Sequence, residues 1–245
     1  MTTNDDPSPI HEHRHEPDTG QGHDQHAEHE HDHDHEHEHD FEPLDYTEAV
    51  EAFRAEKDHY FRHGEGSPLP PDERETFAGL AYYPVDPSLV FEGLTLEPYA
   101  GSEQRSFMIP TSDGRLRPAH RAGSLHFEID GEPRSLAGYV LDVAVDEPHE
   151  HEHEHEHRAA DDGDEPGPNL FVPFLDQTSG TETYGAGRYL DIEPDEDGTY
   201  ALDFNLAYHP SCVYDDRFSC PLTPAENRLG TRIEAGERLP DDFSH

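Results

Sequence analysis

Hydrophobic residues recur along the chain with two periods, and each period predicts a different kind of element. Tyr46, Val50 and Phe53 follow helical spacing, and the acidic residues between them fall mostly on the other face. Asp45 precedes this segment with a glutamate three residues later, the spacing of a capping box, and Gly64 follows its last turn. The pattern therefore predicts one amphipathic helix that begins after Asp45 and ends before Gly64.

Beyond the helix, short runs of β-branched and aromatic residues alternate with turn residues, which is typical of strands. Leu125, Phe127 and Ile129 alternate with polar residues, as in a strand that buries one face. Asp130-Gly131 and Asp197-Gly198 lie between runs, where two-residue hairpin turns are expected. The predicted strands are Leu89–Leu96, Arg105–Ile109, Leu125–Ile129, Leu136–Val145, Leu170–Leu175, Gly187–Ile192 and Tyr200–Asn205.

Two segments contain almost no apolar residues and are rich in histidine, aspartate and glutamate. They are the N-terminal tail, residues 1–43, and an insertion between two predicted strands, residues 146–168. Such segments cannot bury enough surface to offset the entropy of ordering, so we predict that both are disordered. The remaining residues, 44–240, are expected to form a single, mainly β domain. We predict an antiparallel β-sandwich or barrel-like fold with one N-terminal amphipathic helix.

The chain is strongly acidic, with a net charge of -41, and Lys57 is its only lysine. Residues 1–43 and 146–165 contain 24 acidic residues and two arginines. The rest of the chain therefore retains 33 acidic and 14 basic residues, a net charge of about -19. Repulsion among these charges opposes a compact state in dilute buffer, but at 1 M salt the Debye length falls to about 3 Å. The composition therefore predicts a protein of a salt-loving organism.

The same composition argues against several classes of function. An acidic surface has no basic stripe with which to bind nucleic acid or an anionic membrane surface. No apolar run approaches the roughly 20 residues of a membrane-spanning helix, and the polar N-terminus does not resemble a secretory signal. The two cysteines, Cys212 and Cys220, are too few for a secreted disulfide scaffold. We therefore expect a soluble cytoplasmic protein that binds neither nucleic acid nor membranes.

The alternating histidines of the two acidic segments are candidate ligands for transition-metal ions. Neutral imidazole binds Zn, Ni and Cu ions, and a disordered segment can bend two to four rings around one ion. The resulting sites would be weak, exchangeable and ordered in affinity by the Irving–Williams series. The alternative is a solvated spacer whose metal binding has no physiological role. The candidate ligands, called the tract histidines below, are His29, His31, His33, His35, His37, His39, His149, His151, His153, His155 and His157.

The two cysteines allow three interpretations. They could be paired or closely packed structural cysteines, they could be reduced and buried, or they could bind a metal. His209, Cys212 and Cys220 could together supply three ligands, although the spacing is not that of a Cys-x-x-Cys zinc knuckle.

A polar turn follows the predicted strand that ends at Leu175. Its residues Asp176, Glu182 and Arg188 could line a pocket as base and anion-holding groups, and Asp203 could face the same region. This interpretation predicts either an enzyme, such as a hydrolase of a small substrate, or a module that binds a small-molecule ligand. The alternative is a structural turn in which side chains cap the backbone and the arginine pairs with a carboxylate.

Several long strings resemble one family in the right order. They are Phe77–Pro87, Phe171–Leu190, Leu202–Cys212, Cys220–Leu229 and Ala235–Glu237. Together they make the chain similar, over roughly residues 49–238, to the uncharacterised prokaryotic family known as domain of unknown function 1684. Members of that family usually have asparagine in place of His209 and lack the tract histidines. The resemblance implies no established activity.

Overall fold

The structure is a computed structural model and describes residues 45–101, 104–142 and 167–240. The predicted 1–43 tail and the tract histidines lie outside these ranges, so the predictions made for them stay predictions.

The predicted helix is confirmed as α1, which spans Tyr46–His63. Asp45 accepts a hydrogen bond from the Glu48 N–H at 2.9 Å, and the Glu48 carboxylate accepts one from the Asp45 N–H at 3.4 Å. This reciprocal capping box satisfies two N–H groups that the first turn leaves unpaired. At the other end, the Gly64 N–H donates to the Tyr60 carbonyl at 2.7 Å.

Within the described residues, ten strands follow the helix, and every strand pair that they form is antiparallel. The strands are β1 (Ala81–Tyr82), β2 (Val90–Leu94), β3 (Glu97–Pro98), β4 (Ser106–Pro110), β5 (Leu116–Ile129), β6 (Glu132–Leu141), β7 (Leu170–Phe174), β8 (Arg188–Ile192), β9 (Tyr200–Asp203) and β10 (Glu237–Arg238). Six of them form the main sheet in the order β3-β5-β6-β7-β8, with β4 also paired to β5. The pairs β2–β9 and β1–β10 form two smaller sheets. The predicted mainly β, antiparallel class is confirmed.

The core lies between the main sheet and the β2–β9 pair. Leu125, Leu136 and Val172 from the main sheet are fully buried against Leu202 and Phe204 from the β9 region. Every residue of β7 is buried, because this strand is in the middle of the sheet and both of its faces are covered.

The turn at Asp130-Gly131 connects its strands as the sequence predicts, whereas at Asp197-Gly198 only the glycine has a positive φ, so this second turn is not the predicted two-residue type. Asp130 and Gly131 have φ angles of 54° and 76° and join β5 to β6, as a two-residue hairpin turn with two positive φ values requires. The next connection, from β6 to its sheet neighbour β7, contains the undescribed residues 143–166. The acidic insertion therefore lies in a connection between paired strands.

The C-terminal segment returns to the start of the domain. β10 pairs with β1, so Glu237 lies opposite Tyr82 and close to α1. The preceding Gly236 has a φ of +74°, and a Cβ at this position would lie 2.5 Å from the Ala207 carbonyl oxygen. Only glycine fits this close backbone approach, which places the side chain of Glu237 inside the protein.

Candidate functional site

A groove of about 570 Å³ lies between α1 and the strands β2, β8 and β9, and we call it the helix–sheet groove. Phe53 of α1, Leu190 of β8 and Leu206 contribute to its apolar walls. Phe53 is 46% exposed and Leu206 is 37% exposed, although both belong to well-packed elements. A concave, mostly apolar space of this size is typical of small-molecule sites.

Polar contacts hold α1 at both ends of the groove. The Tyr46 hydroxyl donates to Asp203 at 2.9 Å, and the Lys57 ammonium lies 2.6 Å from Oε1 of Glu237. Eleven residues separate Tyr46 from Lys57, which is about 16 Å along a helix. Phe53 lies between these two contacts, where no side chain of the described residues fills the space in front of it. Between these contacts Val50 is buried and Arg54 donates to the carbonyls of Tyr83 and Asn205, so α1 packs on the domain while Phe53 stays partly exposed to the groove.

Lys57 lines one end of the groove, here called its inner end, and a buried carboxylate lies directly behind its ammonium. The side chain of Glu237 is 2% exposed. Its Oε2 accepts from the backbone N–H of His209 at 2.7 Å and from the Tyr214 hydroxyl at 3.1 Å. Its Oε1 receives no well-directed hydrogen bond among the described residues, but the Lys57 ammonium balances its charge. That ammonium also lies 4.6 Å from the centre of the Tyr208 ring, a cation–π distance.

His209 lies beside this carboxylate and is neutral. Its Nε2 accepts from the Tyr184 N–H at 3.3 Å, and its Nδ1 lies 3.5 Å from Oε2 of Glu237. Burial, followed by the positive charges of Arg188 and Lys57, lowers the pKa of His209 from its ordinary 6.5 to about 3. Because Nε2 contacts Tyr184 and Nδ1 contacts Glu237, both ring nitrogens face groups of the protein.

The outer part of the groove carries carboxylates. Glu92, Asp191, Glu193 and Asp203 all belong to its lining. The Tyr208 hydroxyl donates to Asp191, and burial followed by the Asp191 charge raises the pKa of this phenol. Since the Lys57 charge is balanced by Glu237, these four carboxylates give the groove lining an excess of negative charge.

Two of the predicted catalytic residues form a buried pair instead of facing the groove. Arg188 and Asp176 have fully buried side chains, with Nη2 and Oδ2 3.7 Å apart. Arg188 donates to the carbonyls of Ile233, Ala235 and Glu237. Burial lowers the pKa of Arg188, and the Asp176 charge opposes this effect. The pair fastens β8 to the C-terminal segment.

Asp176 also organises the polar turn itself. Its carboxylate accepts hydrogen bonds from the hydroxyls of Thr178 and Ser179 and, at 2.8 Å, from the Ile233 N–H. This network matches the structural interpretation of the turn, in which side chains cap backbone groups around an arginine–carboxylate pair.

The other two predicted catalytic residues lie apart from each other. Glu182 accepts from the Tyr83 hydroxyl at 2.9 Å and from Arg232 at 2.6 Å, and Arg232 is the main reason that the pKa of Glu182 is lowered. Asp203 accepts from Tyr46 and lines the helix–sheet groove, whereas Asp176, Glu182 and Arg188 do not.

The weaker metal candidates do not form a three-ligand site. Cys212 and Cys220 are free thiols that contact each other, with the Cys212 N–H donating to Sγ of Cys220 at 3.3 Å. The ring of His209 is turned to Tyr184 and Glu237 instead. In residues 45–101, 104–142 and 167–240, no group of three or more histidine, cysteine, aspartate or glutamate side chains is arranged to hold a metal ion.

The relatives of the chain agree with this architecture. The model of a family described as "Protein of unknown function (DUF1684)" matches residues 75–238, more than half of the chain. The chain belongs to the DUF1684 family. The resemblance read from the sequence strings is thereby confirmed, and the family description assigns no activity.

This DUF1684 protein is also similar to an uncharacterised protein of Haloarcula marismortui whose structure was determined by solution NMR. The two share 38% sequence identity with a TM-score of 0.55, over 81% of this chain and 97% of that chain. No curated protein matches this DUF1684 protein. Among its described residues, no helix is both long and apolar enough to span a bilayer.

The sequence did not predict the Lys57–Glu237 ion pair beside the groove of this DUF1684 protein. Lys57 occupies a helical position in line with Tyr46 and Phe53, on the face predicted to be apolar. A single lysine on an apolar helix face is a signal for a buried partner, because an unpaired buried charge is very costly. The identity of that partner, Glu237, depends on the pairing of β1 with β10 and has no local signal.

Proposed function

We propose that this DUF1684 protein binds a small amphipathic organic cation in the helix–sheet groove and works in the cytoplasm of a salt-loving organism. The observation that carries the binding proposal is the pair of exposed apolar side chains, Phe53 and Leu206, lining a 570 Å³ space with a buried ion pair at its inner end. The acidic composition and the similarity to a protein of Haloarcula marismortui support the cellular setting.

The apolar walls account for the body of the ligand. Removing apolar surface from water stabilises a complex by about 25 cal/mol per Å², so a ligand that covers Phe53 and Leu206 gains from both of its faces. The body should be a flat ring or a short alkyl chain, because the groove lies between a helix and a sheet.

The carboxylates at the mouth account for the head of the ligand. Glu92, Asp191, Glu193 and Asp203 favour a positively charged group, and the aromatic rings of Tyr46 and Phe53 suit an organic ammonium. An anionic head would meet four negative charges, and the one lysine of the groove already has a partner.

A binding role is better supported than a catalytic one. Catalysis by general acid or base needs a titratable group with its proton-accepting atom aimed at the substrate. Glu237 and His209, the buried titratable groups beside the groove, have partners within the protein. Asp203, the predicted catalytic residue that lines the groove, already accepts from the Tyr46 hydroxyl and the Asn205 backbone N–H. Of the predicted catalytic residues, Asp176 and Arg188 are fully buried and bonded to each other and to the backbone.

Thermal-shift and NMR titration of the full chain in molar KCl tests this proposal. Primary alkylamines of six to ten carbons should raise the melting temperature, whereas alkyl carboxylates of equal length should not. Leu206→Trp should fill the groove and abolish the shift. Leu116→Trp places the same bulky residue at a 60% exposed leucine outside the groove and should leave the shift intact.

Two results would refute the proposal. The first is that no member of the alkylamine series stabilises the wild-type protein. The second is that Leu206→Trp retains the wild-type response while NMR shows that the groove has been filled.

A second candidate function is transition-metal binding by the tract histidines, which we infer from the sequence. Eleven histidines alternate with acidic residues in two short segments, and imidazole is a common ligand for Zn, Ni and Cu ions. Isothermal titration of Zn(II) or Ni(II) into the full chain should show several weak sites. Replacing all tract histidines with glutamine should remove this uptake.

The control replaces histidines outside the tracts. His120 and His126 changed to glutamine should leave metal uptake unchanged, since each has a single carboxylate neighbour and neither belongs to a group of three or more candidate ligands in the described part of the chain. Equal uptake by the wild-type protein and the tract variant would contradict the metal-binding proposal.

A further inference from the structure

The two thiols of the chain form a cluster that lies outside the helix–sheet groove. Cys212 belongs to the short 3-10 helix Ser211–Val213, and its N–H donates to Sγ of Cys220 at 3.3 Å. This contact places Cys220 beside the backbone of Cys212. Their exposure is unequal, since Cys212 is partly exposed and Cys220 is only 8% exposed.

The surroundings shift the pKa values of the two thiols in opposite directions. The hydrogen bond from Cys220, with further ones from Ser112 and Tyr184, lowers the pKa of the Cys212 thiol against the opposing effect of burial. The same contact, together with burial, raises the pKa of Cys220. A thiolate on the exposed sulfur beside a thiol on the buried one is the arrangement of an attacking and a resolving cysteine.

The backbone around the pair is held without help from a disulfide bond. The Cys220 N–H donates to the Ser112 hydroxyl at 3.1 Å, and the Ser112 N–H donates to the Cys220 carbonyl at 2.8 Å. The Ser219 hydroxyl donates to Asp113 at 2.8 Å. These hydrogen bonds to residues 112 and 113 fix the backbone at Cys220 while both thiols are free.

We propose that Cys212 and Cys220 form a thiol–disulfide exchange site that reacts with low-molecular-weight disulfides. The Cys212 thiolate attacks one sulfur of the disulfide, so that a new S–S bond forms, the old one breaks and one thiolate leaves. Cys220 then gives its proton to the departing thiolate and attacks Sγ of Cys212, releasing the second thiolate, which takes a proton from water. The two cysteines are oxidised to one internal disulfide, and the external disulfide is reduced to two thiols.

This site is separate from the helix–sheet groove, because neither cysteine belongs to the groove lining. The exchange proposal therefore stands or fails independently of ligand binding.

The test uses the reduced full chain and bis(2-hydroxyethyl) disulfide in molar KCl, followed by intact-protein mass spectrometry. The wild-type protein should lose two hydrogen atoms without forming a dimer. Cys220→Ser should stop at a mixed disulfide carrying one 2-hydroxyethylthio group on Cys212. Cys212→Ser should react at least about tenfold more slowly, because the buried thiol is protonated and poorly accessible.

A second measurement uses only the wild-type protein, so its result does not depend on whether the variants fold correctly. A brief pulse of iodoacetamide followed by peptide mapping should label Cys212 about tenfold more than Cys220. Equal labelling, or a wild-type protein that gains mixed disulfides on both cysteines and never forms the internal one, would overturn the proposal.

Discussion

The ammonium of Lys57 lies 2.6 Å from the carboxylate of Glu237, although 179 positions of sequence separate the two residues. This ion pair joins the C-terminal half of α1 to β10. Breaking one partner of a buried ion pair costs more than the pair itself contributes, because the other charge is left in the protein interior. Loss of this contact should therefore destabilise the protein where α1 meets β10 beside the groove.

We expect Lys57→Met to lower the free energy of unfolding by about 2–4 kcal/mol, because Glu237 loses its counter-charge in a buried position. Urea denaturation in molar KCl, followed by circular dichroism, measures this change. The double variant Lys57→Met/Glu237→Gln should regain most of the loss, since it removes both charges. If the double variant were as unstable as Lys57→Met, the unpaired charge of Glu237 would not be the cause of the lost stability.

Arg188→Met should destabilise the protein by about 3–5 kcal/mol, because it leaves the Asp176 carboxylate and three backbone carbonyls unpaired in the interior. Arg232→Met is the matched control, since its ion pair with Glu182 is exposed to solvent and should contribute little to stability. Chemical denaturation of both variants compares the two. Similar losses of unfolding free energy in the two variants would show that burial does not increase the contribution of the Arg188–Asp176 pair to stability.

The stability of the protein should fall with acidification because of His209. The folded-state pKa of about 3 lies below the ordinary 6.5, so the unfolded state binds the extra proton between these two values. The contribution is complete above pH 6.5 and is lost as pH falls toward 3, with a slope of up to about 1.4 kcal/mol per pH unit.

Denaturation curves of the wild-type protein and His209→Asn between pH 7 and 5 test this expectation, because asparagine cannot take up the proton. The stability difference between the two proteins should shrink as the pH is lowered. Parallel curves for His209→Asn would show that His209 is protonated equally in both states.

The melting temperature should rise steeply between about 0.1 and 1 M KCl, over which the Debye length shortens from about 10 to about 3 Å. The reason is the net charge of about -19 that remains outside the acidic tail and insertion. Circular dichroism melts measure the effect, with sucrose at equal osmolality as the control for solvent exclusion. A melting temperature that follows sucrose as closely as KCl would argue against charge screening.

Local signals in the sequence were sufficient to predict α1 and the hairpin turn at Asp130-Gly131. Both depend on residues within a few positions of one another, namely a capping box and two backbone conformations with positive φ. Strand boundaries were less well predicted. β5 begins at Leu116, nine residues before the predicted start at Leu125, because its first half pairs with β4 along an edge where polar side chains disguise the alternation.

The candidate site was predicted only in part, for a physical reason. Asp176 and Arg188 have the same spacing in a catalytic turn and in a structural one, and the sequence does not show that the backbone of Ile233 supplies hydrogen bonds to both. The groove depends on a helix being fastened at Asp203 and Glu237, two positions fixed by long-range strand pairing. No short-range pattern encodes such a distance.

Lys57 carries the only side-chain amine of the chain, and it lies inside the helix–sheet groove. Isotope-labelled methyl groups added by reductive methylation would therefore give a single lysine signal, separate from that of the terminal α-amine, without any mutation. For a protein this acidic, natural composition has supplied a spectroscopic probe at the place where a ligand is expected to bind.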